Sequence, residues 1–107
     1  MRQALKDCMW LCAQRGWQNL TVDEKGEHIL GAHPLDDHTL CFVPRYDLDR
    51  DLVTEVVSGL THRDQMLWLS NLIGCDDEDL NPCQILKYIN STAEERLRAL
   101  VVTLKGE

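Results

Sequence analysis

The spacing of apolar residues changes twice along this chain of 107 residues, and this change restricts the fold more than any other feature. Near the N-terminus, four apolar residues follow the i, i+3, i+4, i+7 pattern of an amphipathic helix: Leu5, Cys8, Met9 and Cys12. Gly16 comes after the last of them and is typical of a left-handed helix cap. Residues 1–15 are therefore predicted to form a helix, with Trp17 packed under its end.

The next segment, residues 18–43, has the composition of short strands. Residues 20–22, 28–32 and 39–43 are rich in β-branched and other apolar side chains. The segments 23–26 and 34–38 between them are rich in turn-forming residues. Gly26 in a four-residue polar loop fits a hairpin. We therefore predict an antiparallel meander of two or three strands.

From Pro44 onward the pattern is helical again. Thr61 is a candidate N-cap, Asn81 followed by proline opens a short helix, and Ser91 or Thr92 caps the last one. The inward-facing residues of the first of these helices are predicted to be Leu48, Leu52, Val53, Val56 and Leu60. The sequence thus predicts one compact α+β domain, residues 1–107, in which three to four helices follow the meander in a layered α/β/α arrangement.

Charge and hydropathy exclude several classes of protein. The formal net charge of −7 argues against direct binding of nucleic acid, which normally needs a basic face. Residues 23–79 hold 14 acids and four bases, a local net of −10, and the remaining residues carry +3. No apolar run approaches a membrane span and no signal-peptide pattern opens the chain, so we expect no membrane partner.

Three segments resemble the small phage proteins of the phage ABA-sandwich family. They are Gly16-Trp17 at the end of the first helix, the element Pro44-Arg45-Tyr46-Asp47-Leu48-Asp49, and the run Thr92-Ala93-Glu94-Glu95-Arg96-Leu97-Arg98-Ala99-Leu100. Ser91 replaces an expected alanine, and residues 75–90 match nothing in that pattern. The resemblance implies a phage or prophage origin, expression in the bacterial host cytoplasm and a layered helix–sheet fold. It implies no catalytic residue.

The acidic middle of the chain supplies the candidate binding residues. Carboxylates there can either keep the protein soluble or meet a basic surface on a partner. Trp68 joins them as a candidate contact residue because tryptophan is enriched at interface hot spots, although it also serves as core volume. The candidate partner-binding residues are Asp47, Asp49, Asp51, Asp76, Asp77, Glu78, Asp79 and Trp68.

Metal and catalytic sites have weaker support in the sequence. His33, His38 and Cys41 lie close together, and Asp36 or His28 would have to complete a zinc site, but the spacing matches no known ligand pattern. The five cysteines form no C-x-x-C pair, and without a secretory signal they are expected to be free thiols. We therefore predict no cofactor, no metal and no enzymatic activity. An enzyme that uses the cysteine, histidine and aspartate residues of the segment 33–41 stays open as a less favoured alternative.

These observations favour a small acidic, non-enzymatic phage accessory protein that binds a host protein. The expected partner has a basic, nucleic-acid-binding face, and the expected role is that of an anti-defence inhibitor, of the anti-CRISPR kind. The alternative is a structural subunit of a phage complex that self-assembles, for which a homodimer through a helical face is one form. An exposed apolar patch on the last two helices would favour this alternative.

Overall fold

The computed structural model describes residues 2–74 and 81–106, apart from the side chains of Asp37 and His38. Within these residues one helix precedes three strands, and four helices follow them. In chain order the elements are α1 (Gln3–Gln14), β1 (Gln18–Val22), β2 (Ile29–His33), β3 (Asp36–Phe42), α2 (Arg50–Ser58), α3 (His62–Ile73), α4 (Pro82–Ile89) and α5 (Ala93–Lys105). The predicted α+β fold is confirmed.

The strands form one antiparallel sheet in the order β1-β2-β3. Val22 pairs with Ile29, and Leu30 pairs with Phe42. The pairing of β1 with β2 is irregular between Gln18 and Thr21, where Asn19 adopts a φ of +55°. Asparagine tolerates this left-handed conformation better than most residues do, which suits it to an irregular position in a strand.

The core lies between the helices and one face of the sheet. α5 is the central helix and packs against α1, α2 and α3. The sheet contributes Ile29 and, just beyond β3, Val43. Three of the four residues predicted for the inner face of α1 are fully buried, and Met9 is partly buried. Trp17 packs against this core as predicted, with its ring edge-on to His33 at 5.1 Å.

The helix ends follow the predicted capping residues. The side chains of Thr61, Asn81 and Thr92 each accept a backbone hydrogen bond at the start of α3, α4 and α5. The sequence allows either Ser91 or Thr92 as the N-cap of the last helix, and in the structure the N-cap is Thr92. Ser91 is buried instead, and its hydroxyl accepts a 2.8 Å hydrogen bond from Arg96 Nε.

One predicted core residue is wrong. The apolar spacing predicts Leu48 on the inner stripe of α2, but its side chain is 65% exposed. The helix begins only at Arg50, with Asp49 as its N-cap. Leu48 therefore precedes the helix and does not share the face that Val53 and Val57 bury. The apolar spacing alone did not show where the helix starts.

Candidate protein-binding surface

The outer face of the sheet, opposite the helices, exposes large apolar side chains of β3. Side chains alternate between the two faces of a strand, so Val43 turns inward and Phe42 and Leu40 turn outward. Leu40 is 57% exposed and Phe42 is 70% exposed. Leu30, the cross-strand neighbour of Phe42, lies on the same face and is partly buried. Contiguous exposed apolar side chains are a feature of interaction sites, so this face is a candidate contact surface.

Leu48 extends this patch beyond the end of the sheet. A groove of about 400 Å³ lies between the end of β3 and the segment that leads into α2, and Phe42 and Leu48 both line it. His28 lines the same groove, and its ring meets Phe42 edge-on with centroids 5.4 Å apart. We call the residues His28, Leu40, Phe42 and Leu48 the Phe42 surface.

The charges next to the Phe42 surface are mainly negative. Asp49 follows Leu48 directly and Asp51 comes two residues later, and both are exposed. Arg50 lies between them in the sequence, and its guanidinium donates to the Ile89 carbonyl of α4. Asp49 Oδ1 accepts a 2.9 Å hydrogen bond from the Asp51 backbone N–H, which fixes this carboxylate at the start of α2. Glu27, also exposed, lines the groove. Arg45 lines it too, but its guanidinium is paired with Asp47.

Asp47 is not part of this exposed acidic margin. Its side chain is fully buried, with both carboxylate oxygens bound by Arg45 at 2.8 and 2.7 Å. Burial raises the pKa of the Asp47 carboxyl, but the Arg45 guanidinium outweighs this effect and holds the pKa below its ordinary value of 3.8. Arg45 also donates to the Glu27 carbonyl, which joins the β1–β2 hairpin to this pair. The sequence-based role for Asp47 as a surface contact is therefore corrected to an internal ion pair.

Trp68 is likewise buried, with 3% of its surface exposed. Its indole N–H donates a 3.0 Å hydrogen bond to the Arg96 carbonyl, and its ring meets Tyr88 edge-on. Of the two roles considered from the sequence, the side chain fills core volume, so a partner docking on this surface would not contact it. The remaining candidates, Asp76, Asp77, Glu78 and Asp79, lie outside the described residues.

Arginine side chains hold α4 in place by its C-terminal end. Arg96, which is buried, donates from Nη2 to the Tyr88 carbonyl at 3.0 Å, and its guanidinium lies 4.6 Å from the Tyr88 ring centre. Arg50 Nη1 donates to the Ile89 carbonyl at 3.0 Å. Both cations meet the negative end of the helix dipole. Among the described residues of α4 none is fully buried and Tyr88 is partly buried against the core, so the arginine hydrogen bonds add to this apolar contact in attaching the helix.

The attachment leaves the apolar residues of α4 exposed. Ile85, Leu86 and Ile89 are each 43–58% exposed. Because they recur at helical spacing, they form a second exposed apolar strip, on a different element from the Phe42 surface. These residues define the α4 strip.

The thiols and imidazoles of the sequence are mostly engaged within the fold. Cys8 and Cys12 are buried and donate to the Pro44 carbonyl at 3.4 and 3.6 Å. The hydrogen bond with Cys8, together with burial, raises the pKa of the Cys12 thiol. The Cys41 thiol contacts the Gly31 carbonyl, and His33 Nδ1 accepts from the Leu35 N–H.

The described part of the chain brings no three histidine, cysteine or acidic side chains together in a way that could hold a metal ion. The side chain of His38, one of the three central residues in the proposed zinc set, lies outside that part. Among the described helices, none combines the length and the apolar character needed to cross a membrane.

Comparison with protein-family models gives no match, and comparisons with curated proteins and with solved structures find none either. The fold and the exposed surfaces are therefore the basis for any functional conclusion. Sequence reasoning located β3 but missed the Phe42 surface. The sequence did contain a signal for an exposed apolar face. Along residues 40–43 the side chains alternate, so Leu40 and Phe42 share one face of the strand and Cys41 and Val43 share the other. Neither face is polar, so one apolar face is expected to meet solvent.

Proposed function

We propose that this protein is a non-enzymatic binding module that contacts another protein through the Phe42 surface. The observation that carries the proposal is the exposure of three large apolar side chains, Leu40, Phe42 and Leu48, beside the exposed carboxylates of Asp49 and Asp51. Interfaces combine an apolar centre with a polar rim, and the rim charges steer association and set specificity. A partner that complements this surface presents apolar side chains bordered by lysine and arginine.

The net charge of −7 supports a basic partner and opposes nucleic acid as a direct one. In the finer form of the proposal, the protein is a phage or prophage accessory protein in the cytoplasm of the bacterial host. There it would inhibit a defence protein by occupying a basic face that normally binds nucleic acid. Its residues resemble the phage ABA-sandwich family, and this resemblance motivates the phage origin. The expected activity is inhibition by occupancy, without a chemical step.

The test is affinity capture from bacterial lysate with matched variants. The binding variant carries Phe42→Ser and Leu48→Ser, and the control carries Leu67→Ser and Leu104→Ser, which also replace two exposed apolar residues. We expect the wild type and the control to retain the same partner and the binding variant to lose it by roughly 10- to 30-fold in affinity, as for interface hot spots. Equal capture by all three proteins would contradict the proposal.

A salt series separates the role of the carboxylates from that of the apolar residues. Asp51→Lys reverses one exposed charge next to Leu48 without removing the N-cap. We expect this variant to weaken capture at low salt and to differ little from the wild type at high salt, because exposed charges are screened. A salt-independent effect would show that Asp51 does not act through long-range charge.

The α4 strip favours a second candidate function, self-assembly as a subunit of a larger phage complex. Exposed apolar residues on the last two helices are the feature expected to favour this alternative, and α4 carries three of them. Sedimentation at increasing protein concentration tests it, with Leu86→Lys as the variant. A dimer that Leu86→Lys dissociates supports self-assembly, and a monomer at all concentrations opposes it.

A further inference from the structure

The strand that carries the Phe42 surface also has a free edge. In the described part of the chain, β3 forms a ladder with β2 alone. The Val43 N–H donates to the Ile29 carbonyl at 3.1 Å, so these two residues form a hydrogen-bonded pair. Hydrogen-bonded and non-hydrogen-bonded pairs alternate along an antiparallel ladder. The pair of Cys41 with Gly31 is therefore hydrogen-bonded, and the backbone groups of Phe42 and Leu40 point away from β2.

Leu40 and Phe42 thus combine two properties at the same positions. Each has an N–H and a C=O directed at the open edge, and each has a side chain that is more than half exposed on the outer face. Natural edge strands usually carry lysine, proline or a covering element that discourages pairing. Residues 40–42 of β3 contain neither lysine nor proline. An added strand would satisfy the main-chain groups and cover the side chains together.

The neighbouring residues limit the length of this edge. Pro44 has no N–H to continue a ladder, and its carbonyl accepts the Cys8 and Cys12 thiols on the core side. At the other end, the pairing of β3 with β2 is irregular between Ala32 and His33. The regular edge therefore spans residues 40–42, so that three residues of an extended partner segment can pair with it directly.

We propose that the partner contributes an extended segment that pairs antiparallel with the free edge of β3, so that its alternate apolar side chains lie beside Leu40 and Phe42 and its lysine or arginine residues flank them. This inference rests on the proposed function and specifies how the partner is held. Strand addition uses main-chain hydrogen bonds for affinity and alternate side chains for specificity. The exposed carboxylates of Glu27, which lines the groove beside Phe42, and of Asp49 and Asp51, which come shortly after Leu48 in the chain, favour a basic segment.

The charge also decides between such a segment and a second copy of this chain. Pairing of β3 with its own copy would bring together two molecules that each carry a net charge of −7. Like charges across an interface oppose association, whereas a basic segment gains from the same field. The proposed occupant is therefore a basic partner segment, and self-pairing is an outcome that the test below can reveal.

The probe is a nine-residue peptide with a Val-Thr-Phe-Thr-Val centre and two lysines at each end. In the proposed pairing, the residues opposite Leu40 and Phe42 share their face, so the valine and phenylalanine N–H groups of the peptide point at β3. N-methylation of these three residues removes the required donors, whereas N-methylation of the two threonines modifies groups that point outward. We expect the first peptide to bind at least about tenfold more weakly than the second, since the hydrogen bonds to the Leu40 and Phe42 carbonyls are lost.

Amide hydrogen exchange of the protein supplies the direct readout. In the free protein the Leu40 and Phe42 amides should exchange faster than that of Cys41, and saturating peptide should slow them by about tenfold or more. A peptide with glutamate in place of lysine should leave them unchanged. Absence of binding, or equal binding of both N-methylated peptides, would overturn the inference.

Other outcomes separate this inference from the proposed function. If the peptide binds and Phe42→Ala abolishes binding, but the edge amides still exchange freely, the Phe42 surface binds by its face alone and strand addition is wrong. Protection of the edge amides that increases with protein concentration without peptide would show self-pairing and overturn the basic occupant. Partner capture that does not depend on Phe42 and Leu48 refutes the proposed function itself.

Discussion

Replacing Asp47 with asparagine tests whether this carboxylate serves the fold. The change removes a charge whose two oxygens bind Arg45 at 2.8 and 2.7 Å in a fully buried position. Breaking a buried ion pair by removing one partner costs about 3–5 kcal/mol. The Arg45 side chain is 19% exposed, so water can partly solvate its charge once the carboxylate is gone. We therefore expect a destabilisation at the lower end of this range, about 3 kcal/mol. For a domain of this size that corresponds to a decrease in Tm of about 12 °C.

The pH dependence gives the same prediction a second, independent test. The folded-state pKa of Asp47 lies below its ordinary value of 3.8, so the pair stabilises the protein above about pH 4, and this contribution is lost as the pH falls through the folded-state pKa. The stability difference between wild type and Asp47→Asn should therefore shrink below that pH, since a protonated carboxyl also lacks the charge.

Urea denaturation followed by tryptophan fluorescence at pH 7 and in acid measures both effects. Glu24→Gln is the control, because it also removes one negative charge, but from an exposed side chain in a turn. Such surface substitutions usually change the free energy of unfolding by no more than about 0.5 kcal/mol. A destabilisation by Asp47→Asn of less than about 1 kcal/mol, or a difference that persists unchanged in acid, would refute a buried ion pair at this position.

Substitutions at two further positions and one labelling experiment test other parts of the structure. Arg96→Lys removes a fork of hydrogen bonds to Tyr88 of α4, to Ser91 and to Thr54 of α2. We expect this change to cost about 3 kcal/mol in urea denaturation, and a cost below about 1 kcal/mol would show that other contacts attach α4. Thr92→Ala removes a capping box and should cost about 1 kcal/mol, whereas Thr92→Ser should stay near the wild type. Iodoacetamide with mass spectrometry should label the exposed Cys83 rapidly, and Cys8 and Cys12 only after unfolding; rapid labelling of the last two in the folded protein would contradict their burial.

The exposed surfaces show where sequence reasoning stopped. The helix-capping residues and the strand segments are local features, and the structure confirms them within a few residues. Nearness in sequence predicts one role for the acidic candidates, yet Asp47 is buried while Asp49 and Asp51 are exposed. Two residues along the chain separate an internal ion pair from a surface charge, and the composition of this segment contains no signal for that difference.

The sequence by itself determined the order of elements, because hydrophobic periodicity, glycine at helix ends and capping side chains act over a few residues. It also determined the acidic charge that favours a basic partner. Only the tertiary structure decided which apolar residues stay exposed. Phe42 and Ile29 are large apolar residues of neighbouring strands, but the helices cover the face that carries Ile29, whereas Phe42 on the opposite face is 70% exposed. Burial depends on which elements meet in space, and this information is spread over the whole chain.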